Sequence, residues 1–167
     1  MNTPLIRAPD LDDAEALHAY LEVLNDDDHP GLLRRSEMPS IEQEREFIQR
    51  YLNGGGHLLL LVDGQRILGC GELTLGKAPY RNHCATLGIS LVKEARGQGH
   101  GSVMVAALHA WARAHPDVDR IQLEVFSTNP GAIKLYERLG YVREGVRQGA
   151  IKRNGELIDM IQMVLLI

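Results

Sequence analysis

Arg96-Gly97-Gln98-Gly99-His100-Gly101 sets three alternating glycines after an apolar run, Leu87 to Val92, and at the head of a helix-patterned stretch. Bare N–H groups at a helix start form an anion cradle, and glycines let a phosphate reach the main chain without meeting a side chain. A second set follows. Asn129 and Tyr136 lie seven residues apart, two helical turns, so they share a face with Ala132 and Ile133. That face combines an amide, a small residue that admits close approach and a phenol able to give up a proton. Together the two sets indicate a nucleotide-bearing cofactor, and hence an enzyme.

Two other phosphate-binding patterns fit poorly. A P-loop ends in Gly-Lys-Ser/Thr, whereas Gly101-Ser102 lacks the lysine. A dinucleotide fold sets its glycines after the first strand of a βαβ unit, with an acidic residue about 20 positions onward. Asp117 and Asp119 approximate that spacing, but a meander of strands precedes the glycines.

The elements that must position these residues are legible from periodicity. Strands are predicted at Pro4 to Ala8, His57 to Val62, Arg66 to Leu75, His83 to Val92 and Arg120 to Phe126. Asp63-Gly64 signals one hairpin, and Asn154-Gly155 signals a closing hairpin of Tyr141 to Ala150 with Leu157 to Leu166. Helices are predicted from Leu11 to Leu24 behind Asp10, and from Ile41 to Leu52 behind a Ser40/Gln43 capping box. Two more run from Gly99 to His115 and from Pro130 to the Gly140 stop. The order implies an α/β fold, a mixed sheet with helices on both faces.

The 167 residues, 44% hydrophobic and 24% charged, fit a single domain over 1–167 with a sizeable core. A net charge of -4 argues against nucleic acid as a partner. Leu58 to Val62, the longest apolar run, is too short to span a bilayer, and Met1 to Asp13 lacks the apolar core of a signal peptide. A cytoplasmic protein without a membrane partner is expected. Cys70 and Cys84 read as reduced core thiols, and the seven histidines lack metal-ligand spacing, so no metal is expected.

The glycine segment behind a long strand resembles the acetyl-CoA motif of the GNAT acetyltransferase superfamily. Asn129, Ala132 and Tyr136, followed by Leu139-Gly140-Tyr141, resemble its second motif, and the element order agrees along essentially the whole chain. Arg81-Asn82-His83, Val125-Phe126 and Arg153-Asn154-Gly155-Glu156 with Asp159 are similar to a bacterial branch that acetylates L-amino acids or phosphinothricin.

The resemblance implies a GNAT fold, with a mostly antiparallel sheet splayed in the middle, between the strands ending near Val92 and Phe126. It implies an N-acetyltransferase moving acetyl from acetyl-CoA directly to a small-molecule primary amine. The amides of Gly97, Gln98, Gly99, His100, Gly101 and Ser102 would hold the pyrophosphate, with Arg96 adding charge. Ile89, Ser90 and Leu91 would pair with the pantetheine arm, and one of their amides would steady the oxyanion. Asn129 would contact the arm and Tyr136 would protonate the departing thiolate.

For the general base, Glu124 points away from the apolar face of its strand, and Glu72 and His83 on neighbouring strands are alternatives. Arg34, Arg35 and Glu37 in the first inter-helix loop are candidates to read an acceptor carboxylate. Acetylation of a protein N-terminus or lysine, and a non-catalytic acyl-CoA-binding module, are the competing readings. A homodimer is compatible with the sequence and not required by it.

Overall fold

The computed structural model describes residues 4–32 and 35–167; Arg34 lies outside them. Strand β1 (Leu5–Arg7) leads through one 3₁₀ turn, Leu11–Asp13, into helix α1 (Ala14–Asp26). The helix predicted from Leu11 therefore begins with a tighter turn, and Asp13 is the reason. Its carboxylate accepts from the Asp10 amide at 2.7 Å and from the Arg7 guanidinium at 2.6 and 2.7 Å. Helix α2 spans Ile41–Leu52, with Ser40 and Gln43 forming the reciprocal capping box.

Strands β2 (Gly56–Asp63), β3 (Arg66–Leu75) and β4 (Cys84–Leu91) make an antiparallel meander. Helix α3 (His100–Ala114), strand β5 (Arg120–Phe126) and helix α4 (Pro130–Arg138) follow. The closing hairpin joins β6 (Val142–Arg153) to β7 (Glu156–Leu166) through Asn154 and Gly155, at φ 51° and 86°. Strand β6 runs past its predicted end at Ala150 because bulges absorb the register shifts. At the second bulge the Gly149 amide donates to Asp159 at 2.8 Å.

The strand order is β1-β2-β3-β4-β5-β7-β6. Among the described residues only β4 and β5 run parallel, and they pair from Cys84↔Arg120 to Thr86↔Gln122. Beyond that register they part. Leu87 to Leu91 keep β3 as partner and Leu123 to Phe126 keep β7, but the two facing edges lose each other. This is the splay the family resemblance implied.

Alternation along β3 sends its two faces to different helices. The Tyr51 hydroxyl of α2 meets Thr74 at 2.6 Å and the Tyr20 hydroxyl of α1 meets Ser90 at 2.9 Å, on one face. On the other, Met104 and Leu108 of α3 close on Gly71, where a side chain would crowd them. Cys70 and Cys84 are buried free thiols. No helix among the described residues is long and apolar enough to cross a membrane.

Leu108 is wholly buried at this α3–sheet contact. Leu108→Ala should cost about 2–5 kcal/mol, read as a lower denaturant midpoint at unchanged slope.

Candidate active site

The parted strands open a cleft of about 600 Å³. Gly88 to Leu91 form one wall and Glu124 to Phe126 the other, while Gly97, Gly99, Gly101 and Ser102 close one end. Asn129, Ala132 and Tyr136 of the α4 segment also line it. The structure thus brings both sequence motifs to one cavity.

At the glycine end the backbone is left-handed at Gly97 and Gly99, φ 72° and 85°, and a side chain on either would project into open space. Gly99 caps α3, so the positive end of the helix faces the same region. Among the described residues, the amides of residues 97–102 donate to no protein group. Unspent donors at a helix start with open space above them fit a pyrophosphate.

Arg96 lines the cleft too, and its side chain is also engaged by the protein. Its Nε donates to the Leu91 carbonyl at 2.9 Å, and its guanidinium pairs with Asp27 at 2.6 Å. Burial alone would raise the Asp27 carboxyl, but the Arg96 hydrogen bond and charge outweigh it and hold it below its usual value. Arg96 therefore braces the end of β4 to the end of α1, and much of its charge is already matched. The Gln98 side chain is likewise spent, donating to the Glu94 carbonyl. His100 contributes as the first residue of α3.

Asn129 caps α4, its Oδ1 accepting from the Ala132 amide at 3.2 Å. Its Nδ2 turns toward Gly31, where a side chain would collide with it. Tyr136 is buried, and its hydroxyl has no hydrogen-bond partner among the described residues. Burial, aided by the negative charge of Glu72, pushes the phenol up to about 12, so it holds its proton at neutral pH.

The three basic groups considered from sequence separate sharply. Glu124 lines the cleft, but its Oε1 accepts from Arg147 at 3.0 Å and Gln162 at 3.4 Å. His83 is exposed where β4 and β5 are still joined, its carbonyl accepting the Asp119 and Arg120 amides. It stands away from the parting. Glu72 sits opposite Gly88 in the β3–β4 register and has no hydrogen bond or ion pair among the described residues. Burial pushes its carboxyl up to about 7, with the Arg50 charge only partly opposing.

Sequence reasoning missed two features. The first is a strap over the cleft formed by the loop after α1. Arg153 donates to the His29 carbonyl at 3.1 Å and pairs with Asp28 at 2.7 Å, and Thr128 donates to the Pro30 carbonyl at 3.3 Å. These contacts join positions about a hundred residues apart, beyond the reach of any local signal. The second is a small cavity of about 140 Å³ lined by Leu21, Leu24, Leu32, Asn25, Arg35 and Ser90. Arg35 makes no ion pair among the described residues, while Glu37 is exposed and does not line this cavity.

Comparison with known proteins agrees with this geometry. Residues 17–141 match the Acetyltransferase (GNAT) family, and the chain belongs to it. It is 30% identical over 147 residues to the L-amino acid N-acetyltransferase AaaT of Escherichia coli K12, covering 86% of this chain and 79% of that protein. Its fold matches the crystal structure of a GNAT-family acetyltransferase from Streptococcus pneumoniae at a TM-score of 0.92 and 25% identity, over 99% and 100% of the two chains. It also matches a Sinorhizobium meliloti phosphinothricin acetyltransferase solved in complex with AcCoA, at a TM-score of 0.85 and 18% identity, over 99% and 89%. The protein is a GNAT N-acetyltransferase.

Gly99→Val forces a branched residue into left-handed backbone and fills the space above the amides. Coenzyme A binding, measured by titration calorimetry, should weaken by about tenfold or more. Unchanged affinity would contradict the cradle.

Proposed function

We propose that the protein moves an acetyl group from acetyl-CoA directly to the α-amino group of a free amino acid or closely related small amine. The observation that carries this reading is the small cavity joining Ser90, on the cleft wall, to Arg35, which makes no ion pair among the described residues. Its leucine walls suit a modest apolar side chain, and the presence of Arg35 in its lining suits a carboxylate. The similarity to an L-amino acid N-acetyltransferase points the same way.

In this reading the amides of residues 97–102 grip the pyrophosphate. The free edge of Ile89, Ser90 and Leu91 takes the pantetheine arm as an added strand, with Asn129 on the far side. A main-chain amide of that edge stabilises the oxyanion. Acetyl-CoA supplies an activated thioester, so no covalent enzyme intermediate is needed. Cys70 suits no such role, since burial pushes its thiol far up. Tyr136 donates its proton to the departing thiolate; the phenol is the weaker acid of the two, so the transfer is drawn forward by the proton that the new amide nitrogen gives up.

A protein N-terminus shares the α-amine but lacks the adjacent carboxylate. Free amino acids should therefore be acetylated faster than their carboxamides, and Arg35→Ala should raise the acceptor KM about tenfold while erasing that preference. Equal rates on the two acceptor forms would favour a peptide substrate. Tyr136→Phe should lower kcat about a hundredfold with coenzyme A affinity unchanged, as expected for loss of a general acid.

A further inference from the structure

We infer that Glu72, not Glu124, is the group that takes the proton from the acceptor amine. The inference rests on the acetyl-transfer reading above and begins from packing. Glu72 and Gly88 face each other across β3 and β4, and Gly88 lies on the cleft wall next to the edge that receives the acyl arm. A side chain on Gly88 would collide with Glu72 Oε1, so the missing Cβ is the space the carboxyl occupies. The glycine lets an acidic side chain from the neighbouring strand lean over the strand beside the acyl site.

The face is also the right one. Glu72, Thr74 and Ser90 share the sheet face covered by α1 and α2, and the Arg35 cavity opens onto Ser90 from that side. The charge of Glu72 acts on Tyr136 of α4, the proposed proton donor. Base and acid thus bear on one region from different elements.

The surroundings leave Glu72 free to work. Arg50 of α2 acts on it from a distance, and Tyr51 of α2, Tyr20 of α1 and Cys70 of β3 all feel its charge. Glu44 of α2 lies beyond Cys70, and β4 presents only Thr86, Gly88 and Ser90 on this face. None of these donates a hydrogen bond to the Glu72 carboxylate. Glu124, in contrast, already accepts from Arg147 and Gln162.

The protons balance as follows. The acceptor ammonium gives one proton to the Glu72 carboxylate, directly or through water. The amine lone pair then forms the N–C bond, and the C–S bond breaks. Tyr136 protonates the sulfur and recovers a proton from the new amide nitrogen. Glu72 releases its proton to solvent, leaving N-acetyl amino acid and coenzyme A.

The test combines pH–rate profiles with a direct titration. Coenzyme A release on a panel of L-amino acids should show kcat/KM rising through an acidic limb near pH 7 in the wild type. E72Q should lose about a hundredfold in kcat together with that limb, while keeping coenzyme A affinity and thermal midpoint. G88A should fold and bind coenzyme A but lose activity, because the displaced carboxyl no longer leans over β4. Carbon-13 NMR of the Glu72 carboxyl should follow the same limb. A wild-type rate and limb in E72Q, or a Glu72 carboxyl titrating near 4.5, overturns the base assignment alone. Failure of the wild type to acetylate any amino acid overturns the acetyl-transfer reading as well.

Discussion

The early parting of β4 from β5 is the constraint on which the rest of the structure depends. A parallel pair that stops at Thr86↔Gln122 leaves Leu87 to Leu91 with backbone donors and acceptors facing a gap. Unpaired main-chain groups are costly unless something satisfies them. Here the outer edges stay fully paired, to β3 and to β7, so the gap is held open by a continuous sheet rather than by a flexible loop. The free edge has the geometry to take an added strand, and the rest of the cleft is arranged around it.

The two ends of the gap are fixed differently. The glycine end relies on backbone: left-handed residues sit among amides that donate to no protein group among the described residues. The strap relies on charge, with Arg96 tying Asp27 to the end of β4 and Arg153 tying Asp28 and the His29 carbonyl to the last hairpin. Exposed ion pairs are worth little individually, but Arg96–Asp27 is partly buried and shares its guanidinium with a carbonyl. That pair couples the start of the glycine loop to the end of α1. Glu72 obeys the opposite logic. Its carboxyl has no partner among the described residues, and burial makes it a weak acid rather than a fixed charge.

Much of the fold was readable because its signals are local. The Ser40 capping box, the Gly64 and Asn154-Gly155 turns, and the alternation of Ile121, Leu123 and Val125 depend on residues close in sequence. Boundaries failed where a distant partner intervened. Arg7 drew Asp13 out of a simple first helical turn, and Asp159 stabilised the bulge that carries β6 past Ala150. The site divided the same way. Gly97, Gly99, Gly101, Ser102, Asn129 and Tyr136 were legible as motifs and do line one cleft. The engagement of Arg96 by Asp27 and of Glu124 by Arg147 was not, because both partners lie far along the chain. Glu72 could be named from sequence, but its distinction from Glu124 required the β3–β4 register that sets it over Gly88.

The most direct measurement is a crystal structure with a bisubstrate analogue, coenzyme A joined through a short acyl linker to the α-nitrogen of an L-amino acid. The account predicts the pyrophosphate on the amides of residues 97–102 and the linker between β4 and β5, with sulfur near the Tyr136 hydroxyl. The amino-acid nitrogen should lie on the Glu72 side of β4 and its carboxylate on Arg35. An analogue bound outside the parted strands, or with its nitrogen on the face covered by α3, would contradict it.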